Sequence, residues 1–143
     1  MPDIYHDFPI DASPDRVFDA VSLPEGLDTW WTDSSAGVPA SGNRYELDFG
    51  PGYVWGALVT RCEPGEAFEL ALTSADPDWT GTRVGFRLEA KGDKTVVRFH
   101  HSGWREGNQH YRTSSFCWAM YLRLLKRYVE TGEVVPYAAR LDA

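Results

Sequence analysis

From about residue 33 to residue 101, hydrophobic residues recur at every second position. This alternation constrains the fold more than any other feature of the chain. Between residues 44 and 49, for example, Tyr45, Leu47 and Phe49 alternate with charged side chains. Such alternation predicts strands with one buried face and one solvated face. Short turns containing Gly, such as residues 63–66 and 91–94, separate the strands. Because consecutive strands joined by short turns pair antiparallel, we predict one antiparallel sheet.

Helix signals flank this sheet on both sides. After a first strand predicted at residues 4–10, Ser13 is a suitable N-cap and Pro14 suits the first helical position. A second short helix is expected from Pro24 to about Trp30 and Trp31. A long helix is predicted from about residue 113 to residue 131, with Gly132 as its C-cap. The expected fold class is α+β: a curved antiparallel sheet of six to seven strands wrapped around a long C-terminal helix, with two short helices after the first strand.

The length of 143 residues is the usual size of one domain, and no linker or repeat interrupts the chain. We therefore predict a single domain over residues 1–143. The two cysteines, Cys62 and Cys117, have neither metal nor redox spacing, and no secretory signal or long apolar run is present. These features predict a cytoplasmic protein without membrane insertion, cofactor or metal.

The charge is acidic overall but unevenly distributed. A net charge of −7 argues against a nucleic-acid partner, which requires a basic surface. Residues 1–80 hold 15 acidic and 3 basic side chains, whereas residues 81–143 hold 6 acidic and 11 basic ones. If both parts belong to one domain, their opposite net charges predict attraction between them. The alternative is a basic docking surface on the C-terminal part. The basic stripe of the last helix, Arg123, Lys126 and Arg127, is expected to be its solvated face.

Aromatic residues make up 14% of the chain, with seven Phe, seven Tyr and six Trp. Their large apolar surfaces predict either a bulky core or an apolar pocket. The candidate ligand contacts are expected on the apolar face of the sheet, on the inner side of the last helix or at the end of the second helix. They are Trp30, Trp31, Tyr53, Trp55, Phe86, Phe99, His101, Trp118 and Tyr121.

Some of these candidates have a structural alternative. Trp30 and Trp31 either plug the end of the sheet or line a pocket mouth. Since adjacent helical residues point about 100° apart, at most one of them is expected to face squarely inward. Tyr53 and Trp55 on the central strand, like the two phenylalanines, fit a filled core as well as a ligand site.

The histidines are the polar candidates. His101 shares the inward parity of the last strand, so it is either a hydrogen-bonded core residue or an acid/base group in a cavity. Together with Tyr121 it is the catalytic candidate. His100 is expected to face solvent. His100, His101 and His110 do not predict a metal site, because adjacent strand residues point to opposite faces and no Cys or acid completes the set.

The order of short motifs resembles a known family. The motifs are Ala12-Ser13-Pro14 with Val17, Phe18, Ala20 and Val21; Pro24-Glu25-Gly26-Leu27; Trp30-Trp31-Thr32; Glu63-Pro64-Gly65-Glu66; Phe99-His100-His101-Ser102-Gly103-Trp104; and Trp118 with Leu122, Leu125 and Gly132. This ordered set resembles the START-like (SRPBCC) superfamily. More narrowly, it is similar to the C-terminal domain of the activator of heat-shock-protein-90 ATPase and its stand-alone bacterial relatives. The resemblance implies the helix-grip fold, in which a seven-stranded antiparallel sheet grips the C-terminal helix.

The resemblance implies the fold more narrowly than the function, since relatives include lipid and hormone binders, polyketide cyclases and a co-chaperone domain. Our leading hypothesis is a binding protein that holds a small apolar, aromatic or lipid-like ligand between the sheet and the C-terminal helix. One alternative is a cyclase, dehydratase or hydrolase that uses the same cavity. Another is a stress-response module that regulates a chaperone, with a chaperone or a second copy of the chain as its partner.

Overall fold

A computed structural model describes residues 2–143, and its strands form one seven-stranded antiparallel sheet. The strands are β1 (Ile4–Ile10), β2 (Ser34–Ala36), β3 (Arg44–Asp48), β4 (Val54–Glu63), β5 (Ala67–Ser74), β6 (Arg83–Lys91) and β7 (Lys94–Ser102). The helices are α1 (Pro14–Ser22), α2 (Pro24–Trp30) and α3 (Gln109–Thr131), followed by a C-terminal 3₁₀ helix (Tyr137–Asp142). The strand order is β1-β7-β6-β5-β4-β3-β2. The α+β helix-grip prediction is therefore confirmed, with α3 packed on the apolar face of the sheet.

Local capping explains where the first and last helices begin and end. The Ser13 hydroxyl accepts a hydrogen bond from the Arg16 amide at the start of α1. Gly132 ends α3 in the left-handed region, with φ of 80°, and its amide donates to the Tyr128 carbonyl at 2.7 Å. Both predicted caps are confirmed.

The predicted start of the last helix near residue 113 is wrong, because α3 begins at Gln109. The side chain of Asn108 caps it by accepting a hydrogen bond from the Tyr111 amide at 2.9 Å. The polar residues 109–112 suggested a loop, but none of them is a Gly or Pro that would break a helix. The extra turn places His110 on α3.

Trp30 and Trp31 are both buried, so the prediction that only one would face inward is wrong. Trp31 is the C-cap of α2 and has non-helical backbone angles, φ of −122° and ψ of −69°. The 100° rotation between successive helical residues therefore does not apply to this pair. Their rings stack with centroids 6.0 Å apart.

Tyr53 does not lie on the inward face of β4. It precedes that strand and closes the turn after β3, with backbone hydrogen bonds to Gly50 and Phe49 at 2.9 Å. The residue is 54% exposed. The structure thus contradicts the placement of Tyr53 beside the other candidates.

Ion pairs join the acidic first part of the chain to the basic second part. Arg98 on β7 pairs with Asp7 on β1 at 2.9 Å, and Arg83 on β6 lies 3.3 Å from Glu69 on β5. On α3, Lys126 pairs with Glu130 instead. These contacts support internal charge complementarity. No helix within residues 2–143 is long and apolar enough to cross a membrane.

Candidate functional site

A partly open cavity of about 180 Å³ lies between the N-terminal half of α3 and one end of the sheet. We call it the tryptophan cavity. Its lining residues are Trp31, Trp55, Trp79, His110, Thr113, Ser114, Cys117, Trp118 and Tyr121. Larger hollows lie elsewhere on the surface, one of about 480 Å³ beside β3 and β4 and one of about 350 Å³ between β1 and α3. The tryptophan cavity therefore occupies the position where this fold leaves space for a ligand.

Three indole rings from separate elements form one wall of the cavity. Trp31 ends α2, Trp55 lies on β4, and Trp79 lies in the loop between β5 and β6. The Trp55 and Trp79 ring centroids are 5.1 Å apart. Trp118 on α3 completes the cluster, with its ring 5.2 Å from Trp31 and 5.8 Å from Trp79. Mutual packing of these rings holds the wall in one arrangement.

The opposite wall is one face of α3. Its members recur at spacings of three and four residues, which places them along a single stripe of the helix. They are His110, Thr113, Ser114, Cys117, Trp118 and Tyr121. Most carry a hydroxyl, thiol or imidazole group. The cavity is thus mostly apolar, and α3 adds a few hydroxyl, thiol and imidazole groups to its lining.

His101 is fully buried behind Trp118, and a directed chain of hydrogen bonds engages both of its nitrogens. The Trp118 indole N–H donates to His101 Nδ1 at 3.0 Å, and Nε2–H donates to the Thr82 hydroxyl at 2.8 Å. The Thr82 hydroxyl in turn donates to the Trp79 carbonyl at 2.5 Å. Because an indole nitrogen can only donate, Nδ1 must be the acceptor, and this determines the tautomer.

Burial lowers the pKa of His101 to about 3, with smaller contributions from His100 and His110. The ring is therefore neutral at physiological pH. Neither nitrogen is free to exchange a proton with a ligand, so the geometry supports a core role for His101 rather than acid/base chemistry. His100 lies on the outer face of the sheet and pairs with Glu69 at 2.7 Å.

Tyr121, the other catalytic candidate, does line the cavity. Burial is the main reason why the pKa of its phenol is raised above the ordinary value, with a smaller effect from Tyr137. The raised pKa keeps the hydroxyl protonated at neutral pH. It can therefore donate a hydrogen bond to a ligand, but it is poorly suited to act as a base.

The nine candidates divide into three groups in the structure. Those that line the tryptophan cavity are Trp31, Trp55, Trp118 and Tyr121. Those buried in the core behind it are Trp30, Phe86, Phe99 and His101. Tyr53 lies apart from both groups, on the exposed turn. The second group supports the first, since the Phe99 ring is 4.6 Å from the Trp118 ring.

Sequence reasoning missed five lining residues: Trp79, His110, Thr113, Ser114 and Cys117. Trp79 lies in a polar loop, where no period indicates burial. Thr113, Ser114 and Cys117 lie within the predicted helix, so helical spacing could have found them, whereas His110 required a helix that begins at Gln109. Ser114 lies one turn and His110 two turns before Trp118, on the same face of the helix.

His110 is paired with a carboxylate beside the cavity. Its Nδ1 lies 2.9 Å from Asp78 Oδ2, and the side-chain amide of Asn108 donates to Asp78 Oδ1 at 3.4 Å. The hydrogen bond from His110 is the main reason why the pKa of Asp78 lies below its usual value. Among residues 2–143, no group of three or more His, Cys, Asp or Glu side chains is placed to hold a metal ion.

Comparison with solved structures identifies the same fold in several bacterial proteins. The Aha1 dimer from Colwellia psychrerythraea is 31% identical over 93% of this chain and 99% of its own, with a TM-score of 0.84. Protein MLL2253 from Mesorhizobium loti is 21% identical over 93% of this chain and 100% of its own, with a TM-score of 0.78. CalU16 from Micromonospora echinospora is 22% identical over 99% of this chain and 72% of its own, with a TM-score of 0.79.

At these lower identities, the likeness to the Mesorhizobium and Micromonospora proteins shows the fold alone. A search among curated proteins finds no match. The sequence model of the family described as "Activator of Hsp90 ATPase homolog 1-like protein" matches residues 11–130, which include α1, α2 and all but the last residue of α3. With this match and the end-to-end likeness to the Colwellia protein, the chain belongs to the Activator of Hsp90 ATPase homolog 1-like family.

Proposed function

We propose that this protein binds a small apolar or aromatic molecule in the tryptophan cavity. The observation that carries the proposal is the convergence of Trp31, Trp55 and Trp79 on a space that the surrounding core does not fill. Protein interiors are otherwise close-packed, and an unfilled space between aromatic side chains loses their dispersion contacts. A ligand that fills the space restores those contacts.

The cavity volume indicates the size of the ligand. An apolar cavity of about 150 Å³ is known to take up benzene, whereas drug-sized ligands occupy about 300 Å³ or more. The tryptophan cavity has about 180 Å³. A single aromatic ring or the end of an apolar chain therefore fits it, and a whole lipid does not.

Ligand binding is better supported than turnover. The enzyme alternative depends on acid/base chemistry by His101 and Tyr121, but both nitrogens of His101 are engaged in the core. Indole rings and hydroxyl groups are suited to hold and orient a ring. We therefore infer a binding protein.

Titration of intrinsic tryptophan fluorescence with a library of single-ring compounds tests the proposal. We expect at least one compound to change the emission saturably, because four of the six Trp residues line the cavity. The variants Cys117→Phe and the milder Cys117→Met fill the space and should abolish binding. Ala119→Phe, on the exposed side of α3, is the matched control and should bind normally.

Two outcomes would overturn the proposal. One is the absence of any saturable response in the natural protein. The other is unchanged affinity in a folded Cys117 variant, since a ligand in the tryptophan cavity cannot tolerate the added side chain. Thermal unfolding monitored by circular dichroism establishes that the variants are folded.

A further inference from the structure

His110 lines the tryptophan cavity with a side chain that is 36% exposed. Its Nδ1 is held by Asp78 at 2.9 Å, and its ring packs edge-on against Trp104 with centroids 5.8 Å apart and planes at 85°. These two contacts restrain the rotation of the ring. Within the described chain Nε2 has no protein partner, although the ring lines the cavity.

The pairing with Asp78 determines what Nε2 can do. The lowered pKa of Asp78 keeps this carboxylate ionised, so it has no proton to share and Nδ1 must carry the hydrogen of the contact. In the neutral imidazole, the lone pair is therefore on Nε2. Asp78 acts as a positioning residue, and His110 offers a hydrogen-bond acceptor to the cavity.

The other lining groups restrict the charge of a ligand. In the part of the chain that the structure describes, no Lys, Arg, Asp or Glu lines the cavity. A carboxylate bound here would lose its hydration without a permanent cation in return, and Asp78 behind His110 would repel it. A plain hydrocarbon would cover Nε2 and leave this acceptor without either water or a donor.

We propose that the ligand is a neutral hydroxylated aromatic compound of the phenol class, whose hydroxyl group donates a hydrogen bond to His110 Nε2. Its ring lies against the indole wall formed by Trp31, Trp55 and Trp79. This inference rests on the proposed binding function and adds the chemical class of the ligand and the residue that recognises it. One hydrogen bond of ordinary net strength corresponds to roughly a tenfold difference in Kd.

Three probes of similar ring size separate this inference from binding as such. Phenol, toluene and benzoate are titrated by calorimetry or ligand-observed NMR at about pH 8, where phenol is still neutral and benzoate is ionised. We expect phenol to bind roughly tenfold more tightly than toluene, and benzoate to bind more weakly than phenol. His110→Phe keeps an aromatic ring but removes the acceptor, so phenol affinity should fall to the level of toluene.

The fold supplies a matched control in a second histidine–carboxylate pair. His100 contacts Glu69 at 2.7 Å on the outer face of the sheet, away from the cavity. His100→Phe should keep the phenol preference. Asp78→Ala, on a half-exposed side chain, releases the His110 ring and should reduce the ratio of phenol affinity to toluene affinity.

The outcomes distinguish the two proposals. If toluene and phenol bind equally to the natural protein, or if folded His110→Phe retains the preference, the phenol inference is wrong while ring binding stands. If benzoate binds best, the inferred neutrality of the ligand is wrong. If no probe binds and the library titration is also negative, the binding function itself is overturned together with this inference.

Discussion

His101 shows how neighbouring groups determine the chemistry of one residue. The donor-only indole of Trp118 occupies Nδ1, the Thr82 hydroxyl occupies Nε2, and the ring has no exposure to solvent. The neutral tautomer is thus bonded at both ends, whereas the protonated ring would compete with the Trp118 N–H for the same position. A histidine with the inward parity expected of a reactive group is, in this setting, a structural element of the core.

This arrangement predicts acid sensitivity of the free energy of unfolding. Burial depresses the folded-state pKa of His101 from 6.5 to about 3, so the unfolded chain binds the extra proton at intermediate pH. The stabilisation is fully present above about pH 6.5 and declines as the pH falls toward 3. In this range the free energy of unfolding changes by at most about 1.4 kcal/mol per pH unit.

Urea unfolding of the natural protein and His101→Gln at several pH values between 7.5 and 4 measures this effect. Glutamine can accept from Trp118 and donate to Thr82 but does not titrate. We expect the stability advantage of the natural protein to shrink steadily below about pH 6.5. A difference that stays constant with pH would show that His101 is not responsible.

Among the elements, α1 and α2 approach each other closely at one glycine. A Cβ atom built on Gly26 would lie 2.5 Å from the Asp19 carbonyl oxygen and 2.7 Å from the Ala20 Cα. Both are backbone atoms, which cannot rotate out of the way. The close approach matters for the site because α2 ends in Trp31, one of the indoles of the cavity.

We therefore predict that Gly26→Ala destabilises the protein although alanine favours helix. The gain in helix propensity is about 1 kcal/mol, whereas overpacking costs about 1–3 kcal/mol and can exceed this against backbone. We expect a net loss of roughly 1–2 kcal/mol in the free energy of unfolding, measured by urea denaturation. Gly107→Ala is the control, because its Cβ would lie 3.8 Å from the nearest atom, in the Tyr111 ring. Equal stabilities of the two variants would contradict the prediction.

At the scale of the whole molecule, the C-terminal 3₁₀ helix joins the end of the chain to the end of α2. The Arg140 guanidinium donates to the carbonyls of Thr32 at 2.9 Å, Asp28 at 2.7 Å and Val135 at 3.0 Å. Its side chain is nearly fully buried, and burial lowers its pKa below the ordinary value. Carbonyls at the C-terminus of a helix attract a cation, so the arginine completes α2 from a distant part of the chain.

Arg140→Ala should lower the free energy of unfolding by about 2–4 kcal/mol, because it leaves buried carbonyls without a donor. Leu141→Ala changes the adjacent, 65% exposed residue and should shift stability by less than about 0.5 kcal/mol. Urea denaturation followed by circular dichroism compares the two. Similar midpoints for both variants would show that the C-terminal 3₁₀ helix contributes little to stability.

The assignment of residues 1–143 to a single domain stays a prediction.

Local sequence patterns were sufficient to predict the sheet, the helix caps and the inward direction of the His101 side chain. The alternation around Tyr45 and Leu47, the Ser13-Pro14 pair and Gly132 act over a few residues, so their consequences can be derived without knowing the rest of the chain. The ordered family motifs added the number of strands. The same local reasoning failed at Tyr53 and at the start of α3, where a turn and an asparagine cap override the apparent period.

The tryptophan cavity could be derived only in part, because it depends on which distant residues meet. Sequence order separates Trp31, Trp79 and Trp118 by dozens of residues, and nothing local shows that their rings contact one another or that Asp78 holds His110. An unfilled space is a difference between the volume that the backbone encloses and the volume that the side chains occupy, so no single segment encodes it. The sequence by itself therefore determined the secondary elements and the inward faces. The tertiary structure decided which of the inward aromatic residues pack as core and which ones face a space that a ligand can enter.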